Sequence, residues 1–263
     1  MKFTPRDIGQ AAEVSSGGGN RGMFRELAIL TVLVVVALTM IYGLIAMGTD
    51  FVISRISFER EAKLFALMDQ TMQTSEVPES YLEKWSLAQS ILDKLEEYPD
   101  TPPMDFRLSY IVDPQPNAFA FPGGTIVVTS GLLDSLDEEV SFAFVLAHEI
   151  GHFAHRDHLR GFGRRLGLSA ALALLFGGQP DPWVKHGAEL MMLHYSRIQE
   201  SRADDFALKS IDHLYGTRDG AERLFEVLEE RGEQLPGWAY MFNSHPDNKK
   251  RIEKILESRL QNR

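Results

Sequence analysis

Hydrophobic and polar positions divide the chain into a short polar lead, one unbroken apolar run and a long mixed remainder. The first 23 residues are polar and include Ser15-Ser16-Gly17-Gly18-Gly19-Asn20. Such a stretch buries too little apolar surface to order itself, and 1–23 is expected to be a disordered tail. Residues 27–47 then hold 21 positions without a charge. As a helix they cover roughly 31 Å, the thickness of a bilayer core, so the pattern predicts a transmembrane anchor over 24–48. A cleaved signal peptide would have a shorter apolar stretch, a shorter charged preface and a small-x-small cleavage site, whereas Gly48-Thr49-Asp50-Phe51 follows here.

Beyond the anchor, residues 49–263 read as one domain. Apolar spacing over 57–98 predicts two helices. After the Asp100-Thr101-Pro102-Pro103 break, three short β segments are expected at 106–112, 117–121 and 125–129, the last two separated by Pro122-Gly123-Gly124. The remainder reads as helical. Ser135 and Glu138 have the spacing of a capping box and are expected to open a helix running through Val145, Leu146 and Ile150. The apolar run at 166–176, only 11 residues long, is too short to span and is expected to be a buried helix, with a membrane dip as the alternative. Further helical patterns cover 183–211, 221–231 and 247–260. The fold class is therefore α+β, mostly helical, with a small sheet and one N-terminal transmembrane helix.

Composition narrows the function. A formal charge of −10 and a pI near 5.3 argue against a nucleic-acid partner, which requires clustered Lys and Arg. The absence of cysteine excludes disulfides, thiolate metal sites and cysteine nucleophiles. Basic residues do not orient the anchor, since Lys2, Arg6, Arg21 and Arg25 precede it and Arg55, Arg60 and Lys63 follow. A single N-terminal span commonly places the main domain across the membrane. The expectation is a single-pass protein of a bacterial inner membrane, with its domain outside the cytoplasm; oligomeric state is left open.

The chemistry lies in His148-Glu149-Ile150-Gly151-His152. On a helix, residues four apart share a face, so both imidazoles can bind one Zn2+ per chain, while Glu149 is offset toward the metal's water and suits a general base. Burying these groups on a helix that otherwise reads Phe142-Ala143-Phe144-Val145-Leu146-Ala147 is costly unless a metal pairs them. Gly151 inside a helix costs about 1 kcal/mol relative to Ala, which suits a site needing close approach. A third ligand must come from another element. Glu200 is selected because it shares a helix face with Asp204, which can orient a ligand histidine through its outer N–H.

HEIGH, the downstream Glu200-Ser201-Arg202-Ala203-Asp204 and a late Ser244-His245-Pro246 together resemble the M48 metallopeptidases, the group that contains the HtpX-like membrane proteases. The segment from Asn117 to Leu133 is similar to the one that precedes that family's zinc helix. The resemblance implies a zincin-like fold, with His148, His152 and Glu200 on zinc and Glu149 catalytic. It also implies a polypeptide substrate paired along a strand at Asn117, Ala118 and Phe119. Unlike HtpX-like members, which have several spans, this chain shows one. By itself His245 reads as a surface residue; the family's late His-Pro adds a second reading, over the cleft, where it would stabilise an oxyanion or cap the metal. A non-proteolytic, membrane-tethered scaffold and a zinc hydrolase acting on other bonds are the alternative functions.

Overall fold

A computed structural model describes residues 20–69, 74–176, 195–221, 223 and 251. Residues up to Ile45 form one compact unit and those from Ala46 onward a second. Helix α1 (Asn20–Ile53) is longer at both ends than the apolar run that predicts it. It is long and apolar enough to cross a membrane, and no residue of its most apolar stretch is buried. The hydroxyls of Thr31 and Thr39 donate back to the carbonyls of Leu27 and Val35, both at 2.8 Å, so neither is left unpaired in an apolar setting.

The second unit begins with α2 (Phe58–Asp69) and, after a single 3₁₀ turn, α3 (Leu82–Glu96), which buries Ala88, Ile91, Leu92 and Leu95 at helical spacing. Strands β1 (Arg107–Ile111), β2 (Ala118–Phe121) and β3 (Thr125–Thr129) follow, within a residue or so of the expected segments. Their order is β1-β3-β2, with β1 parallel and β2 antiparallel to β3. The β-branched run of β3 is buried at all five positions, as suits a central strand. Gly123 and Gly124 turn the β2–β3 hairpin at φ 96° and 95°, where a side chain would be strained. The outer edge of β1 receives the Ser75 N–H on the Tyr110 carbonyl at 2.9 Å. Among the described residues no strand pairs with the outer edge of β2.

Helix α4 (Ser130–Ser135) is capped by the Thr129 hydroxyl, which accepts the Leu132 N–H at 3.2 Å. The next helix, α5 (Glu139–Ala154), is buried continuously from Ser141 to Phe153. The expected capping box does not form. Glu138 is the N-cap without a side-chain bond, and Ser135 instead ends α4, its hydroxyl donating to the Gly131 carbonyl at 2.6 Å. Two residues, His155 and Arg156, separate α5 from α6 (Asp157–Phe176). Arg156 takes a left-handed φ of 59°. There its guanidinium reaches Glu61 of α2 at 2.6 Å and the Ile56 carbonyl at 3.0 Å, and lies 3.5 Å over the Phe58 ring.

The 166–176 run is not a buried helix. It forms the second half of α6, Leu168 and Leu174 are 42% and 86% exposed, and no described side chain of α6 from Gly163 onward is buried. The following helix, α7 (Arg197–Tyr215), starts and ends later than the 183–211 pattern, because Ser196 and Gln199 form a reciprocal capping box and Gly216 closes the helix at φ 65°. Residues 1–19 and 183–194, and all of 221–231 and 247–260 except Ala221, Arg223 and Arg251, lie outside the described residues.

Helix α5 crosses α7 at Gly151. A Cβ there would stand 2.9 Å from the Cα of Ala203, 3.1 Å from its carbonyl oxygen and 3.2 Å from the Cβ of Phe206. Two of these neighbours are backbone atoms that cannot rotate away. Gly151→Ala is therefore expected to force α5 and α7 apart and destabilise the domain by about 1–3 kcal/mol, seen as a lower thermal midpoint of the full-length protein in detergent.

Candidate metal centre

The α5–α7 crossing carries the predicted chemistry. His148 and His152 lie one turn apart on α5, their rings 4.8 Å apart between centroids and nearly perpendicular, with Nε2 atoms 3.1 Å apart. Glu200, in the first turn of α7, places Oε2 3.5 Å from His148 Nε2 and Oε1 3.5 Å from His152 Nε2. Ligand atoms from all three residues lie within 4.8 Å of one another, and all three residues are buried. Two imidazole nitrogens and a carboxylate converging without water are stable only with protons or a cation among them. The donor set suits a divalent metal. Glu149, 2% exposed on the same helix, is adjacent to His148 and close enough for its charge to act on His152 and Tyr195.

Each ligand histidine has a buried carboxylate behind it. His148 Nδ1 stands 3.0 Å from Asp204 Oδ1, the partner expected from sequence. His152 Nδ1 faces Asp157 at 3.5 Å, a residue the sequence reading missed. Its position five residues after His152 is the signal that was available. Asp157 opens α6 and is fully buried; it accepts from Gln199 Nε2 at 2.8 Å and Arg202 Nη2 at 3.2 Å, so α7 is tied to both histidines. Arg251 was missed as well. Its guanidinium bonds both oxygens of Asp204 at 2.7 Å and Glu200 Oε2 at 2.7 Å. Tyr195 stacks on the His152 ring, 3.8 Å between centroids and 15° from parallel, and fixes its plane. His245 lies outside the described residues.

These contacts set the protonation states. Burial alone would push His148 down, but hydrogen bonds to Asp204 and Glu200, with the charge of Glu200, raise it to about 9. His152 is raised in the same way: burial opposes, and Asp157 and Glu200 prevail. Burial would raise Asp204, yet Arg251 and His148 hold its carboxyl well below the usual range. Burial would likewise raise Asp157, and His152 and Gln199 reverse it.

Strand β2 packs against α5, and its first residue Ala118 and the preceding Asn117 are both buried. The Asn117 N–H donates to the Thr129 hydroxyl at 2.9 Å, and among the described residues the buried Asn117 Oδ1 has no hydrogen-bond partner. Phe119 is half-buried on the smaller side of the sheet.

Residues 86–259 match the model of peptidase family M48. Mitochondrial metalloendopeptidase OMA1 of Schizosaccharomyces pombe is 31% identical over 159 residues, 59% of this chain and 47% of that protein. OMA1 of Arabidopsis thaliana is 25% identical over 256 residues, 97% of this chain and 46% of that protein. Metalloprotease LoiP of Escherichia coli is 32% identical over 151 residues, 54% of this chain and 58% of that protein. The chain spans about half the length of the curated relatives it matches.

Two outcomes test the centre. With His148 raised to about 9, the metal-free protein holds a proton there at neutral pH that a metal must displace. Metal affinity should therefore climb with pH throughout the range below about 9 and level off above it. Calorimetry at pH 7.5 in buffers of different ionisation enthalpy should show proton release on metal binding. Separately, Asp157→Asn should weaken metal binding by about 10- to 100-fold in chelator competition, because His152 loses its orienting charge.

Proposed function

Because the chain belongs to peptidase family M48, we propose that it is a membrane-anchored zinc endopeptidase in which His148, His152 and Glu200 hold Zn2+ and Glu149 is the general base. The observation that supports this most directly is the convergence of the two buried histidine Nε2 atoms, 3.1 Å apart, with the two Glu200 carboxylate oxygens, each 3.5 Å from one of them. A tetrahedral ion with ligands at about 2.0–2.1 Å separates them by about 3.4 Å. When bound, zinc supplies Lewis-acid polarisation of the scissile carbonyl and lowers the pKa of a coordinated water toward about 7. Glu149 takes a proton from the attacking water and passes one to the leaving amine. Asp204 and Asp157 keep the outer nitrogens of the histidines protonated, so that their Nε2 lone pairs face the metal.

The substrate in this reading is a polypeptide bound in extended form. Support comes from the outer edge of β2, which has no strand partner among the described residues, and from the buried Asn117 amide oxygen without a hydrogen-bond partner there. In the proposed substrate strand of Asn117, Ala118 and Phe119, the Asn117 backbone is taken by Thr129, so Asn117 would contribute its side-chain amide and the following residues the backbone edge. The domain is proposed to lie outside the cytoplasm of a bacterial inner membrane, in protein quality control. His245 is proposed to reach the cleft, as an oxyanion donor or as a cap on the metal.

Glu149→Gln is expected to keep one zinc per chain and lower hydrolysis of an unfolded protein by at least about 10²- to 10⁴-fold. His148→Ala should lose the metal outright. Full residual activity in Glu149→Gln would remove that residue from catalysis, and zinc without any wild-type cleavage would favour a non-proteolytic scaffold. For His245→Ala, unchanged zinc affinity together with unchanged turnover would take His245 out of the site.

A further inference from the structure

The second half of α6 is apolar in sequence, yet none of its described side chains is buried. After Arg165 the sequence carries no charge until Asp181, and 166–176 contains Ser169 as its one polar side chain. Leu168 and Leu174 are exposed, and so is Ala170 between them. A helix that is hydrophobic all round belongs in a protein core or in lipid, and the core does not cover this one.

Its position says which. The side that a Cβ on Gly163 would occupy is taken by Thr49 of α1, with Cγ2 at 2.7 Å. Arg160, nearly a turn before Gly163, and Arg164, the next residue, reach Asp50 Oδ1 through Nε and Nη2 at 3.1 and 3.5 Å. Thr49 and Asp50 directly follow the apolar run of α1, at the level where a bilayer gives way to water. Helix α6 thus starts its charge-free half from the place where the anchor leaves the membrane, and a cluster of two arginines and an aspartate marks the boundary.

We infer that residues 166–176 insert into the lipid leaflet in which α1 ends, making a second, non-spanning membrane contact. This rests on the reading of α1 as a membrane anchor. Eleven helical residues cover about 16 Å, half of a hydrocarbon core about 30 Å thick, so they fill one leaflet and do not cross. Asp157, which backs the ligand His152, lies nine residues before Leu166, about 14 Å along the same helix. The catalytic cleft is thereby held beside the bilayer surface, where polypeptide emerging from the membrane is the nearest substrate.

The chain has no native cysteine, so single replacements can be labelled without background. Leu168→Cys and Leu174→Cys replace exposed side chains. Val35→Cys in α1 and the half-exposed Leu82→Cys in α3 serve as lipid and water references. Each full-length variant carries an environment-sensitive fluorophore in vesicles with or without nitroxide-bearing lipids. The expected result is blue-shifted emission and loss of fluorescence at 168 and 174, comparable to position 35, with position 82 unaffected. Quenching at 35 but not at 168 and 174 overturns the inference and leaves the anchor standing. It would mean that water, another part of this chain or a second copy covers the helix. Absence of quenching at 35 would overturn the anchor reading and the inference together.

Discussion

Desolvation of the polar groups on α5 governs the structure around it. A helix buried from Ser141 to Phe153 must be apolar on all sides, yet this one carries His148, Glu149 and His152 at its centre. Each imidazole removed from water needs a partner on both nitrogens, or burial costs several kcal/mol. The fold answers with two carboxylates that face outer nitrogens, Asp204 from α7 and Asp157 from α6, and with Glu200 between the inner ones. Those carboxylates are themselves buried, so a further layer follows: Arg251 for Glu200 and Asp204, Gln199 and Arg202 for Asp157. A divalent metal, as proposed, would add positive charge to set beside the arginines against Glu149, Glu200, Asp204 and Asp157. Those carboxylates also raise both histidines, Asp204 and Glu200 acting on His148 and Asp157 and Glu200 on His152.

Whatever depends on local spacing was legible in the sequence. HEIGH needs only a helix to bring two imidazoles together, and Pro122-Gly123-Gly124 needs only two left-handed residues to turn β2 into β3. Glu200 and Asp204 share a helix face by the same i, i+4 rule, but singling them out also took the upstream HEIGH and the resemblance to the M48 family. Asp157 was hidden because it lies past the end of α5, where the helical count stops, and only the tight turn at Arg156 brings it back to His152. Arg251 is 103 positions from His148 and has no local signature. Ser135 had the spacing of a cap, but its hydroxyl found a carbonyl in α4 first. The 166–176 run failed for another reason: apolar composition records that water is avoided, and does not say whether protein or lipid replaces it.

A second buried centre joins the metal helix to the segment that follows the anchor. Glu61 of α2 is fully buried. Its two oxygens take His158 Nε2 at 2.7 Å, Arg156 Nη1 at 2.6 Å and the Gly123 N–H at 3.1 Å. Burial would raise this carboxyl, and the three donors, His158 foremost, hold it below its ordinary value instead. His158 in turn points Nδ1 at the carbonyl of His152, 3.2 Å away. One carboxylate therefore touches the end of the edge strand through Gly123 and the backbone of His152 through His158.

Net stability does not explain such an arrangement, since a buried ion pair often contributes no more than an apolar contact of the same volume. Direction does. Three donors from two separate turns converge on two oxygens, and only one placement of α2 satisfies all of them, whereas an apolar contact tolerates sliding. Asp50 with Arg160 and Arg164 acts in the same sense one layer out, where partial exposure makes the attraction weak but still selects a register. The residues that follow the apolar run of α1, the turn that ends β2 and the C-terminal turn of α5 are thus fixed relative to one another by polar geometry. A displacement of α2 cannot leave the edge strand and the His152 backbone both where they are, because the same carboxylate holds the two.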